Sequence, residues 1–411
     1  MKRSFVQSLI AFSTCMALFG TAHAATFLVV NLNDNGAGTL REAITSANAN
    51  PGADTIEFDA PLNGTITLAS ALPPLSDDVV ISGPGAEIIT VSGNSLVQPF
   101  FVASDSTVTI SGLTIANGQS GIGGGIGNEG DLTVTDCVLM NNHAETDGGA
   151  IDNFGGSLVV SQSRLSSNTT GEFGVGGGIS NAGSGTVSII ESTFIGNSAG
   201  FSGGAVDNRG TITIVSSTLS ANGAEFGGAV ENADTLTVRN STLSGNVATT
   251  AGGGIDNFAG QATVEFATLT DNTAASGGGI ENTASIAIKN SLVANSGAGG
   301  DCAHDAGGTF TALGVNFATD ANCPGFTQAT QGEVNLGPLA DNGGPTLTHA
   351  LLTGSAAVDA ALDCTLSDGS TPVTQDQRGQ ARPQGSGCDS GAFEGSDALP
   401  ATIFVDGFES K

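Results

Sequence analysis

The 411-residue chain has no tryptophan and no tyrosine, and only 10 lysine or arginine residues against 39 aspartate or glutamate. Without the two large amphipathic rings, the usual platform for stacking a sugar is missing, which weighs against a carbohydrate-processing cleft. A net charge of −29 makes nucleic acid and anionic membrane poor partners, because both are held by excess Lys and Arg. It suits a surface that stays soluble and attracts cations. Proline is scarce at 12 residues, which together with 62 aperiodic glycines rules out collagen and low-complexity disorder. Past residue 24 no apolar run is long enough to form a transmembrane helix. The histidines that remain there, His143, His304 and His349, lack metal-ligand spacing and read as surface or capping residues.

What is abundant is repetition. The phrase Gly252-Gly253-Gly254-Ile255-Asp256-Asn257 recurs in seven copies ending at Asn128, Asn153, Asn181, Asn208, Asn232, Asn257 and Asn282, in steps of 24 to 28 residues. A second phrase follows each copy, a Leu or Phe three residues before Asn: Leu139/Asn142, Leu165/Asn168, Phe194/Asn197, Leu219/Asn222, Leu243/Asn246, Leu269/Asn272 and Leu292/Asn295. Between them lie short alternating stretches such as Leu132/Val134, Ile212/Ile214 and Ile286/Ile288, the period of a strand with one buried face. A unit of ~25 residues cannot bury an apolar face alone, so units must stack strand on strand into a coiled parallel sheet. Stacking at about 4.8 Å places like residues over like, with each phrase-ending Asn bonding its neighbours up and down the stack.

The expected organisation is all-β. Residues 1–24 carry Lys2, Arg3, an apolar run and Ala22-His23-Ala24, the pattern of a signal peptide. Lipidation at Cys15 is disfavoured, because an apolar Met16–Phe19 stretch would then begin the mature chain. Residues 25–60 form an N-terminal cap, with Leu40, Ala43, Ile44 and Ala47 on one face of a helix that Thr39 and Glu42 begin as a capping box and Asn50-Pro51-Gly52 ends. Strands at 65–68, 79–82, 88–91, 100–103 and 107–110 begin the solenoid, which spans 61–300 with regular repeats from about 121. Residues 301–395 form final coils and a cap, and 396–411 a tail.

Three stretches carry family resemblances. Gly36-Ala37-Gly38-Thr39-Leu40-Arg41-Glu42-Ala43-Ile44, with Ala47 to Ile56, resembles the N-terminal module named for its CSLREA motif, with Gly38 and Thr39 at its Cys-Ser positions. The repeats, with Gly148-Gly149-Ala150-Ile151 and Phe194-Ile195-Gly196-Asn197, resemble those of polymorphic outer membrane proteins. Gly337-Pro338-Leu339-Ala340-Asp341-Asn342-Gly343-Gly344-Pro345-Thr346, Asp376-Gln377-Arg378-Gly379 and Cys388 to Glu394 resemble the choice-of-anchor Q domain. Together these imply a right-handed parallel β-helix, exported through the inner membrane to the cell surface, outer membrane or medium, where it acts as an adhesin or structural protein. The expected disulfides pair Cys302 with Cys323 and Cys364 with Cys388, as suits an oxidising compartment. Cys137, at a position filled by Ser163, Ser192, Ser217 and Ser241 in other repeats, reads as a small buried residue rather than a nucleophile.

The candidate site is the position before each phrase-ending Asn, where Asp207, Glu231, Asp256 and Glu281 place carboxylates on four consecutive coils. Pointing away from the interior, these acids are expected to form an exposed row, read first as a solvated ridge. Two alternatives remain: a calcium site of hard oxygen ligands, or paired acids for cleaving a polysaccharide, as in a secreted lyase or glycoside hydrolase. No catalytic residue is assigned and no resident cofactor other than calcium is implied; the sequence does not name the ligand, for which a polysaccharide and a host or neighbouring surface are the candidates. Arg378 and Arg382 with Asp376 read as an ion-pair network in the C-terminal cap. Threonine pairs such as Thr211/Thr213 and Thr235/Thr237 suggest an ice- or mineral-binding array, but Asp131, Val159, Gln261 and Ala287 interrupt the rows.

Overall fold

The computed structural model describes residues 23–304 and 307–395. The signal-peptide reading of 1–24 falls, except for its last two residues, outside the described part, as does the tail reading of 396–411. The chain winds into a parallel β-helix of about 12 turns, each of ~25 residues. Two sheets of 12 strands, here A and B, and one of 9 strands, C, run the length of the coil with strands ordered along the axis as in sequence. A fourth, interrupted stack, D, joins B to C. In one coil, residues 131–135 lie in A, 138–140 in B, 143–147 in D and 151–154 in C.

Register is set by the alternation. Ile126, Ile151, Ile179, Val206, Val230, Ile255 and Ile280 pair in parallel one above another, all buried, and Leu139, Leu165, Phe194, Leu219, Leu243 and Leu269 do the same in B. The asparagines form two hydrogen-bonded rails. Asn128 Nδ2 donates to Asn153 Oδ1 at 2.7 Å, and the pattern continues through Asn181, Asn208, Asn232 and Asn257 to Asn282 at 2.7–2.8 Å. The second rail runs from Asn142 through Asn168, Asn197, Asn222 and Asn246 to Asn272 at 2.9–3.0 Å. Fully buried amides of this kind must find partners, and the coil above supplies them.

The seventh copy of the second phrase is out of register by one residue. Leu292 pairs with Thr268 and Val293 with Leu269, so Asn295 falls level with Asp271, one residue short of the rail. Leu292 therefore faces outward, where it packs in a second apolar cluster with Phe317, Leu351 and Phe393. That cluster belongs to the C-terminal region, whose short helix, Gln331–Val334, packs Val334 into it before the chain folds back as an antiparallel hairpin along the outer face of B.

At the other end the helix Leu40–Ala47 buries Leu40, Ala43, Ile44 and Ala47, and Thr39 Oγ1 accepts from Glu42 N–H. The Glu42 carboxylate accepts from Gly38 N–H, one residue before the N-cap. Disulfides join Cys302 to Cys323 and Cys364 to Cys388.

Candidate functional site

The acidic row lies on the outer face of C, but it is not an exposed ridge. Asp207, Asp256 and Glu281 are buried and Glu231 is half-buried, which corrects the expectation from sequence. The cause is the corner between D and C. Each coil turns there on a glycine of positive φ, Gly203, Gly227, Gly252 and Gly277, a conformation open to residues without a Cβ. A Cβ on Gly252 would lie 2.5 Å from that of Asp256, so the chain passes directly beside the base of that side chain. An outward-pointing side chain thus enters an inside corner rather than solvent.

The resulting groove has three rows. Its floor is Gly127, Asp152, Ser180, Asp207, Glu231, Asp256 and Glu281, in strand register. One wall is built by Ile122, Asp147, Val175, Ser202, Phe226, Ala251 and Ser276 of D. Two residues beyond the floor, on the same side of the strand, stand Phe154 and Phe258, both exposed. Asp152 completes the acidic floor; Ser180 interrupts the succession, and a reading restricted to consecutive acids passes over it.

Burial shapes the acidity of this floor. Asp152 is pushed up to about 6 by burial and by the nearby charges of Asp147 and Glu129, against a hydrogen bond from Ser180. Glu231 rises to about 7 through burial and its neighbours Asp207 and Asp256. Asp256 also rises to about 7, through burial and Glu281. Asp207 is raised by burial as well, although Ser202 Oγ donates to its Oδ2 at 2.6 Å and Arg209 Nε to its Oδ1 at 3.0 Å. Asp152 Oδ1, Glu231 Oε2 and Glu281 Oε2 have no hydrogen-bond partner. Carboxyls titrating near neutrality can exchange protons or meet cations.

Calcium fits this arrangement poorly. The ion takes 6–8 oxygens around a centre, whereas the acids lie in a line with one per coil. Among the described residues no group of three or more His, Cys, Asp or Glu side chains is placed to hold a metal.

The other singled-out residues are fastenings. Cys137 is buried, its N–H donates to Ser163 Oγ at 3.1 Å, and burial raises its thiol to about 11. Arg378 donates to Asp376 Oδ2 at 2.7 Å and lies over the Phe393 ring. Arg382 is buried with its side chain 3.5 Å from Glu394 and donates to the carbonyls of Asp389 and Gly391. His304 is exposed and His143 contacts Thr169 Oγ1. His349, read as surface or capping, is buried between the hairpin and B, with Nε2 2.8 Å from Ser244 Oγ and Nδ1 2.7 Å from the Gly337 carbonyl. Sequence reasoning did not find Lys289, buried and donating to Asp363 and Thr365, or Glu265, which accepts from Arg239 and Ser367 N–H.

No family model matches the chain, and no curated protein matches it. Two solved structures do. One is the PL6 family alginate lyase AlyGC, at TM-score 0.33 and 15% identity, covering 79% of this chain and 55% of that one. The other is an arginine-to-alanine variant of that enzyme, at TM-score 0.34 and 13% identity over 79% and 55%. The chain thus spans about half the length of these lyases, at a likeness that carries no argument about activity.

Proposed function

We propose that this chain is an exported β-helix, displayed at or released from the cell surface, that holds an extended ligand along the C–D groove without turning it over. The observation that carries the reading is the spacing of the floor: one polar or acidic side chain per coil, in register over many coils, is a linear recognition surface rather than a point of reaction. The signal-peptide pattern, the resemblance to CSLREA, polymorphic outer membrane protein and choice-of-anchor modules, and the disulfides support export and an adhesive role.

A second reading is favoured by the raised proton affinity of Glu231 and Asp256, which suits general acid–base chemistry near neutral pH in a polysaccharide lyase or hydrolase. The test is a panel of polysaccharides assayed for both retention and shortened products, with and without calcium. The comparison variant is Asp207→Asn/Glu231→Gln/Asp256→Asn/Glu281→Gln. Retention without products supports the adhesive reading; products that vanish in the variant replace it with the enzymatic one.

A further inference from the structure

Where the groove begins, the floor carries Gly127 in place of a side chain, and a cavity of about 200 Å³ opens there. A Cβ at this position would lie 2.9 Å from the Phe101 ring and 3.1 Å from Gln98 Nε2, so the glycine is what leaves the space. Phe101, Ile122 and Phe154 form apolar walls. Gln98 is tied down by donating to the Ile122 carbonyl at 3.0 Å and to that of Gly123. Asp152 lines the cavity, is only 3% exposed, and its Oδ1 has no hydrogen-bond partner. Glu129 lines it too, Asp147 adds charge nearby, and no lysine, arginine or histidine is among the lining residues.

We propose that this cavity is a subsite for a protonated amine, borne by one unit of an amino-sugar polymer that lies along the groove. This deepens the groove-binding reading and rests on it. A buried carboxylate with a free oxygen calls for a donor, and charge-assisted N–H donors make the strongest such bonds. Aromatic rings beside a carboxylate suit a cation with an apolar body, because the ring faces attract positive charge. The cavity has room for one small ring or amine. The polymer follows from the repeat: with Asp207, Glu231, Asp256 and Glu281 on successive coils, a chain with one amine per unit meets successive carboxylates, whereas polyuronates meet like charge.

The test is titration calorimetry of the full chain at pH 7 with glucosamine oligomers, their N-acetylated counterparts, uronate oligomers and oligolysine. Binding of the glucosamine oligomers alone, weakened at least tenfold by Asp152→Asn and by Phe154→Ala, supports the assignment. Phe154 is exposed, so its variant tests the site without disturbing the fold. At pH 5 affinity should fall although the ligand only gains charge, since Asp152 takes up a proton near 6. Equal binding of acetylated oligomers, or indifference to Asp152→Asn, overturns the amine subsite while leaving the groove reading in place. Equal binding of oligolysine overturns the sugar. If no polymer in this panel or the polysaccharide panel is retained, the groove reading falls first.

Discussion

The outer faces of sheets B and C are built by the same coils, yet one is covered and the other open. On B the folded-back C-terminal region meets the polar row: Thr218 Oγ1 donates to the Leu347 carbonyl, Thr242 Oγ1 to Gln377 Oε1, Thr268 Oγ1 accepts from Ala392 N–H, and Ser244 contacts His349. Gln377 alone bonds Ser217, Thr218 and Thr346. On C the floor keeps carboxyl oxygens without partners and with raised proton affinity. Buried polar groups that are satisfied fix a structure, and those left unsatisfied make it costly until a ligand or proton arrives. The comparison separates fastening from function on a single scaffold.

The largest effect comes from striking what both faces share. Ile255→Asp puts a charge into the interior ladder and should cost on the order of 5 kcal/mol, seen as loss of cooperative melting. Unchanged melting would mean the inward assignment is wrong. Arg382→Ala attacks only the covered face: Glu394 and Asp389 lose their buried cation, at a cost of roughly 3–5 kcal/mol. Hydrogen exchange should then quicken across 336–395 and stay slow in the C strands; equal loss in both would dissolve the distinction.

A matched pair of neutral substitutions sharpens it further. Asp256 in the folded chain keeps its proton up to about 7, whereas an unfolded aspartate releases it near ~3.9. Between those values the folded state binds more protons, so this group's contribution to stability declines as pH rises through the window. Asp256→Asn should therefore stabilise by about 1–3 kcal/mol at pH 8 and by little at pH 4, measured by urea unfolding. Glu265→Gln, at the end of an A strand where the C-terminal region is fastened, should destabilise by roughly 1–3 kcal/mol at pH 8, because two charge-assisted bonds from Arg239 and one from Ser367 weaken. Opposite signs confirm the contrast, and equal signs refute it. The smallest change is Cys137→Ser, which extends the serine ladder and should shift stability by no more than about 1 kcal/mol, with the native thiol inert to thiol reagents until unfolding.

The solenoid was legible because parallel, in-register stacking forces residues at equal phase to touch, so Asn128 to Asn282 announce their own contacts. The acids were legible as a row but not as buried ones. Their exposure depends on the D–C corner, made by glycines whose φ is not written in the alternation of Ile255 and Asn257. The one-residue slip at Leu292 escaped notice because Leu292 and Asn295 keep the spacing of the phrase while changing phase. Least legible was the lid on B: Asn240 bonds Gln375 across 135 residues, and no period links the two segments.

The asparagine rails make the molecule divisible. Every rail amide donates toward the following coil, so removal of residues 233–257 takes away one rung from each rail and brings equivalent rungs together again. A cut of half that length would leave both rails mismatched and their amides buried without partners. Length is therefore quantised in whole coils. Each coil removed or duplicated changes the groove by about 4.8 Å, so the span of ligand that the protein grips is a count of its repeats.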